Sequence, residues 1–115
     1  MKSDNHAWVK EFPAAITVSD ADGILLEMND KSAKALAKDG GRELIGKNML
    51  ECHPDPARGK VERLLKKKQL NVYTIEKNGI KKLIYQSPWY VKGEFAGFVE
   101  LSLEIPFEIP HFIRD

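Results

Sequence analysis

The dipeptide Asn78-Gly79, set between two runs of β-prone residues, constrains this chain more than any other feature. Asn-Gly enters the left-handed backbone region at low cost and closes two-residue hairpins. It joins residues 71–77 to 80–91, and Lys92-Gly93 then turns the chain into 94–105. Residues 71–105 are therefore expected to form a three-stranded antiparallel meander. Two-residue turns set Lys77 opposite Ile80, Tyr73 opposite Ile84, Val91 opposite Glu94 and Gln86 opposite Val99. Side chains alternate across a strand, so this register sorts the faces. One face holds Tyr73, Ile75, Ile80, Ile84, Val99, Leu101, Leu103 and Ile105, with Lys82 and Gln86 among them. The other holds Thr74, Glu76, Lys81, Glu100, Ser102 and Glu104, but also Leu83, Tyr85, Trp89 and Phe98. A bulge in either hairpin would exchange part of this assignment.

Upstream, residues 15–19 and 24–28 are short β-rich runs around Asp20-Ala21-Asp22-Gly23, a second hairpin. Ser3 is a candidate cap for a helix over 3–12, with Trp8, Val9 and Phe12 on one stripe and Pro13 as its stop. Asn29 can cap a helix carrying Ala33, Leu36 and Ala37, which Gly40-Gly41 ends. Asp55 and Pro56 open the clearest helix, with Ala57, Val61, Leu64 and Leu65 on its apolar face. Arg58, Lys60, Glu62, Arg63 and Lys66 are expected to face water. The order β-β-α-α-α-β-β-β predicts an α+β domain: a five-stranded antiparallel sheet with helices on one face, plus a short N-terminal helix. Residues 1–12 form the cap, 13–105 the domain and 106–115 a tail.

Composition narrows the function. The chain has 115 residues, room for one core, and its net charge of +1 creates no field favouring nucleic acid or an anionic membrane. The run Lys66-Lys67-Lys68 suits a helix C-terminus. A single cysteine, Cys52, forms no internal disulfide and fits a reducing, cytoplasmic compartment. The N-terminus lacks the apolar stretch of a signal peptide, and no apolar run is long enough to span a bilayer. Neither a nucleophile with its base, nor paired carboxylates, nor a metal motif, nor a phosphate loop stands in the sequence, so no enzyme is expected.

Six local motifs in one order resemble the PAS family from about Pro13 to Ile105. They are Asp22-Gly23, Asn29 before an Ala-rich helix, Glu43-Leu44-Ile45-Gly46-Lys47, His53-Pro54-Asp55, Ser87-Pro88 and Gly93-Glu94-Phe95-Ala96-Gly97-Phe98. The resemblance implies a sensory module that holds a small, largely apolar or aromatic ligand between helices and sheet. It implies pocket positions at Gln86, Tyr73, Ile84, Val99, Leu101, Met49, Cys52 and His53, with Gln86 as the polar handle. Such domains signal through protein contacts, and a ligand-free dimerisation or scaffold module is the alternative reading. Glu104-Ile105-Pro106 stands where the family often has Asp-Ile-Thr, and the ten residues after Ile105 hold no effector. Either the domain acts through a separate partner protein, or the chain is cut from a longer one.

No cofactor is assigned by the sequence. Flavin photoreceptors of the family carry the reactive cysteine directly after the asparagine, whereas here Asn48 is followed by Met49-Leu50-Glu51 and the cysteine comes three positions late. Cys52-His53 could ligate haem iron, but His53 also matches the family's ordinary loop histidine. A haem or redox sensor ranks below the two main readings. On the sheet's second face, Leu83, Tyr85, Trp89 and Phe98 make an apolar patch that the stripe of Trp8 and Phe12 would cover. A two-fold homodimer built from these residues is expected.

Overall fold

The structure, a computed structural model, describes residues 7–50 and 56–115. A short helix α1 (Ala7–Lys10) leads into β1 (Ala15–Ser19) and β2 (Leu25–Met28). Helix α2 (Asp30–Ala35), two 3-10 turns (Ala37–Asp39 and Gly41–Leu44) and helix α3 (Ala57–Lys67) follow. Strands β3 (Asn71–Lys77), β4 (Ile80–Val91) and β5 (Glu94–Ile105) complete one antiparallel sheet in the order β2-β1-β5-β4-β3. Ser3 and Asp55, the expected caps of the first and last helices, lie outside the described residues.

Asn29 holds the first half of the domain together. It is 4% exposed, and its Oδ1 accepts from Ser32 N at 3.1 Å, which caps α2, and from Ile16 N at 2.9 Å. Its Nδ2 donates to the carbonyls of Ala14 at 2.7 Å and Val9 at 3.1 Å. One side chain thus ties α1, the start of β1 and α2. The first hairpin is closed by Asp20, whose carboxylate accepts from the backbone of Asp22 and Ile24, each at 2.9 Å. Gly23, at φ +91°, leaves little room for a side chain, since a Cβ there would come within 3.2 Å of Leu65 in α3. Leu25, Met28 and Leu44 form one cluster of the buried core, with Leu36 and Met49 packed against it.

Both late turns form as expected. Asn78 and Gly79, like Lys92 and Gly93, all have positive φ, the backbone that a two-residue hairpin of the right twist requires. The β3–β4 register agrees with the sequence reading: Lys77 lies opposite Ile80 and Tyr73 opposite Ile84.

The β4–β5 register departs from expectation by one residue. Val91 pairs with Glu94 and Tyr90 with Phe95, but Trp89 pairs with Gly97, so Ala96 is an extra residue in β5. Beyond this bulge Gln86 lies opposite Glu100, not Val99, and Ile84 opposite Ser102, not Leu101. Opposed residues share a face. Phe98, Glu100, Ser102 and Glu104 therefore turn toward the helices, and Val99, Leu101, Leu103 and Ile105 turn outward. Gly97 permits this. A Cβ there would come within 1.9 Å of the Ser19 carbonyl oxygen. Trp89 lies across the gap and donates from Nε1 to that same oxygen at 2.9 Å.

Candidate functional site

Between the helices and the inner face of the sheet runs a cleft of three adjoining chambers. The first, about 300 Å³, lies under α2 and the 3-10 turns and includes Thr17, Ser32, Met49, Lys82, Glu100 and Ser102 in its wall. A small chamber of about 80 Å³ shares Thr17, Leu25, Met49 and Glu100 with it and adds Val61, Leu64, Gln86 and Phe98. A mouth of about 600 Å³ opens between α3 and β3, sharing Val61, Leu64 and Gln86 and adding Asn71, Tyr73, Lys60, Arg63 and Lys67.

The bulge adds the Glu100 carboxylate to a floor that already holds Gln86 and Asn71. Asn71 Nδ2 donates to Gln86 Oε1 at 2.7 Å, and Gln86 Nε2 reaches Glu100 Oε2 at a long 3.5 Å. Two side-chain amides and a carboxylate thus form a row across β3, β4 and β5. Thr17 and Ser32 share a 2.6 Å hydroxyl contact between β1 and α2. At the far end Lys31 and Glu104 pair at 3.1 Å. Partial burial, and then the negative charge of Glu100, hold the Tyr73 phenol above its ordinary pKa. Apolar walls with a few convergent polar groups are the usual make-up of a small-molecule site.

The sequence-predicted pocket residues are only partly brought together. Gln86, Tyr73 and Met49 border the cleft, and Ile84, 5% exposed, is buried on the same side of the sheet. Leu101 is opposite Tyr85 and belongs to the outer face. Val99 contributes to the wall of the small chamber, while its pairing with Ser87 puts its side chain in the outer row. Cys52 and His53 lie outside the described residues. Glu100, Asn71, Thr17 and Ser32, and the mouth's Lys60, Arg63 and Lys67, were not among the expected pocket positions. Gly97 within a strand was the available signal, since a strand glycine often marks a bulge.

The outer face differs from expectation in the same way. Leu83 and Tyr85 lie there with Leu103 and Leu101 opposite, and β1 adds Ile16 and Val18 opposite Leu101 and Val99. Phe98, expected in this patch, is instead buried on the inner side, edge-on to Phe95 at 5.8 Å. Trp89 remains on the outer side, anchored to Ser19. Trp8 and Phe12 pack edge-to-face at 5.7 Å, yet Trp8 stays 64% exposed.

Among the described residues no group of three or more His, Cys, Asp or Glu could hold a metal ion, and no helix is long and apolar enough to cross a membrane. The architecture is that of a small α+β domain built on one five-stranded antiparallel sheet. The model of the PAS fold family matches residues 9–67, 59 of the 115, and the chain belongs to that family. Solved PAS domains share the fold. That of an HTR-like protein from Haloarcula marismortui has a TM-score of 0.61 at 21% identity, covering 87% of this chain and 88% of that one. The PAS domain of Bordetella pertussis BvgS scores 0.60 at 23% identity, covering 88% and 83%. A sensory box sensor histidine kinase from Vibrio cholerae scores 0.65 at 13% identity, covering 89% of each. No curated protein sequence is significantly similar to this chain.

Proposed function

We propose that this PAS domain binds a small, largely apolar or aromatic molecule in the cleft and passes its state on through protein contacts. The observation that carries the reading is the row Asn71–Gln86–Glu100, polar groups converging beneath the otherwise apolar Val61, Leu64 and Phe98. Gln86 sits at the middle of the row and borders two chambers, the position from which one amide can orient a ligand. Native mass spectrometry of the purified protein should show an added small mass. Gln86→Leu should lose it while costing about 1 kcal/mol of stability, since it also strips Asn71 of its acceptor. An unchanged added mass with a large loss of stability would make Gln86 a structural residue.

The alternative, a ligand-free module that only dimerises, draws on a different observation. Val72, Leu83, Tyr85, Leu101 and Leu103 form a contiguous half-exposed apolar row on the outer face. In both readings that face is the contact surface, and a second copy of the chain is the proposed partner. A ligand-free sample that is strictly dimeric would favour the alternative.

A further inference from the structure

Helix α3 carries Lys60, Arg63 and Lys67 at spacings of three and four residues, so the three cations form one stripe. The three side chains are exposed, Lys60 and Arg63 as the sequence suggested, and they also border the mouth of the cleft beside Tyr73 and Gln86. No carboxylate lines the mouth among the described residues. The ion pairs of the described residues lie elsewhere: Lys10 and Arg42 with Asp30, Lys31 with Glu104, and Arg58 with Glu62. Three cations gathered at one opening stand out in a chain whose net charge is only +1. Clefts lined by one sign of charge focus their field and concentrate the opposite charge there.

The inner chambers carry both signs, Lys31 and Lys82 with Asp39, Glu100 and Glu104. Glu100 borders both inner chambers, one residue beyond Gln86 along the row, and its charge is felt at Tyr73. Negative charge is thus attracted at the mouth, and the small chamber behind it is walled mainly by apolar side chains. Between the two lie Val61 and Leu64, with Phe98 and Met49 further in. On the reading of this cleft as a ligand site, we infer that its ligand is an amphipathic anion, with the carboxylate at Lys60, Arg63 and Lys67 and an apolar body directed inward. A cationic head would be repelled by the stripe.

A matched trio tests the charge apart from the shape: 3-phenylpropionate, 3-phenylpropanamide and 3-phenylpropylamine, titrated into the intact protein while backbone amide resonances are followed. The carboxylate should shift residues 60–67, 71–73 and 86 and bind about fivefold tighter than the amide, the advantage shrinking with added salt. The amine should bind weakest. In the double variant Lys60→Gln, Arg63→Gln, which changes only helix-surface side chains, carboxylate and amide should become equal. If the amide or amine binds the cleft as well as the carboxylate, or the double variant keeps the full preference, the anion is wrong although the cleft stands as a site. If none of the three shifts cleft resonances, the cleft reading falls and the anion with it.

Discussion

Two side chains, one large in its bonding and one absent, hold positions that no neighbour could take over. Asn29 spends its oxygen on the α2 cap and the Ile16 amide, and its nitrogen on carbonyls of the segment before β1. Asn29→Ala would remove the cap and strand several buried backbone groups at once, so a loss of about 2–3 kcal/mol is expected in a denaturant titration. Asn29→Asp keeps the cap oxygen but not the donor to Ala14 and Val9, and should retain part of that stability. Gly97 is the opposite case. Any Cβ would overlap the Ser19 carbonyl oxygen at 1.9 Å, which backbone movement alone can relieve. Gly97→Ala should destabilise the fold by about 3 kcal/mol or more and disturb the environment of Trp89, visible in its fluorescence. A wild-type melting curve for that variant would mean the bulge is not tight.

At the scale of elements, the ties of α1 are few and partly ionic. Lys10 reaches Asp30, at the first turn of α2, at 3.1 Å, and Asp30 also pairs with Arg42, which in turn donates to the Met28 carbonyl at 2.7 Å. The hydrogen bond from Lys10 is the main cause that holds the Asp30 carboxyl below its ordinary value, against partial desolvation. A carboxyl depressed in the folded state stabilises above its unfolded pKa, and the contribution is lost as pH falls through the folded value. Acidification below the ordinary carboxylate range should therefore loosen α1 before the sheet unfolds, seen as a lower amide protection factor near Phe12. In Asp30→Asn that protection should be low already at neutral pH and nearly indifferent to acid. Because the pair is exposed, the effect belongs to local opening and not to global stability.

For the whole molecule, the decisive feature is which side of the sheet meets helices. The inner side is half polar, whereas the outer row of Ile16, Val18, Val99, Leu101, Leu103, Leu83 and Tyr85 is apolar and only partly covered. Monomers seldom leave such a surface bare. Light scattering on the intact chain should show a dimer, and Leu101→Glu should dissociate it without changing the cleft. Removing the residues before Glu11 should weaken it as well if Trp8, exposed here, packs at the contact. A monomer well above micromolar concentration would leave this face without the second copy proposed for it.

The sequence by itself determined the strand order in time, the two-residue turns and the cap at Asn29. Each depends on residues close along the chain: Asn78-Gly79 and Lys92-Gly93 need only their own backbone preferences, and Asn29 needs only the amide of Ser32. The β3–β4 ladder followed from its turn for the same reason. What lies inside β5 was not legible that way. Val99, Leu101, Leu103 and Ile105 alternate with Glu100, Ser102 and Glu104, and the pattern has the same period whichever set faces the helices. One extra residue at Ala96 reverses the choice, and it is held there by the approach of Gly97 to Ser19, 78 positions earlier in the chain, and by Trp89 bridging to the same carbonyl. That contact exists only once β1 and β5 have met. The cleft's carboxylate floor and the apolar outer face were therefore decided by tertiary packing, through a steric condition between segments that no local reading brings together.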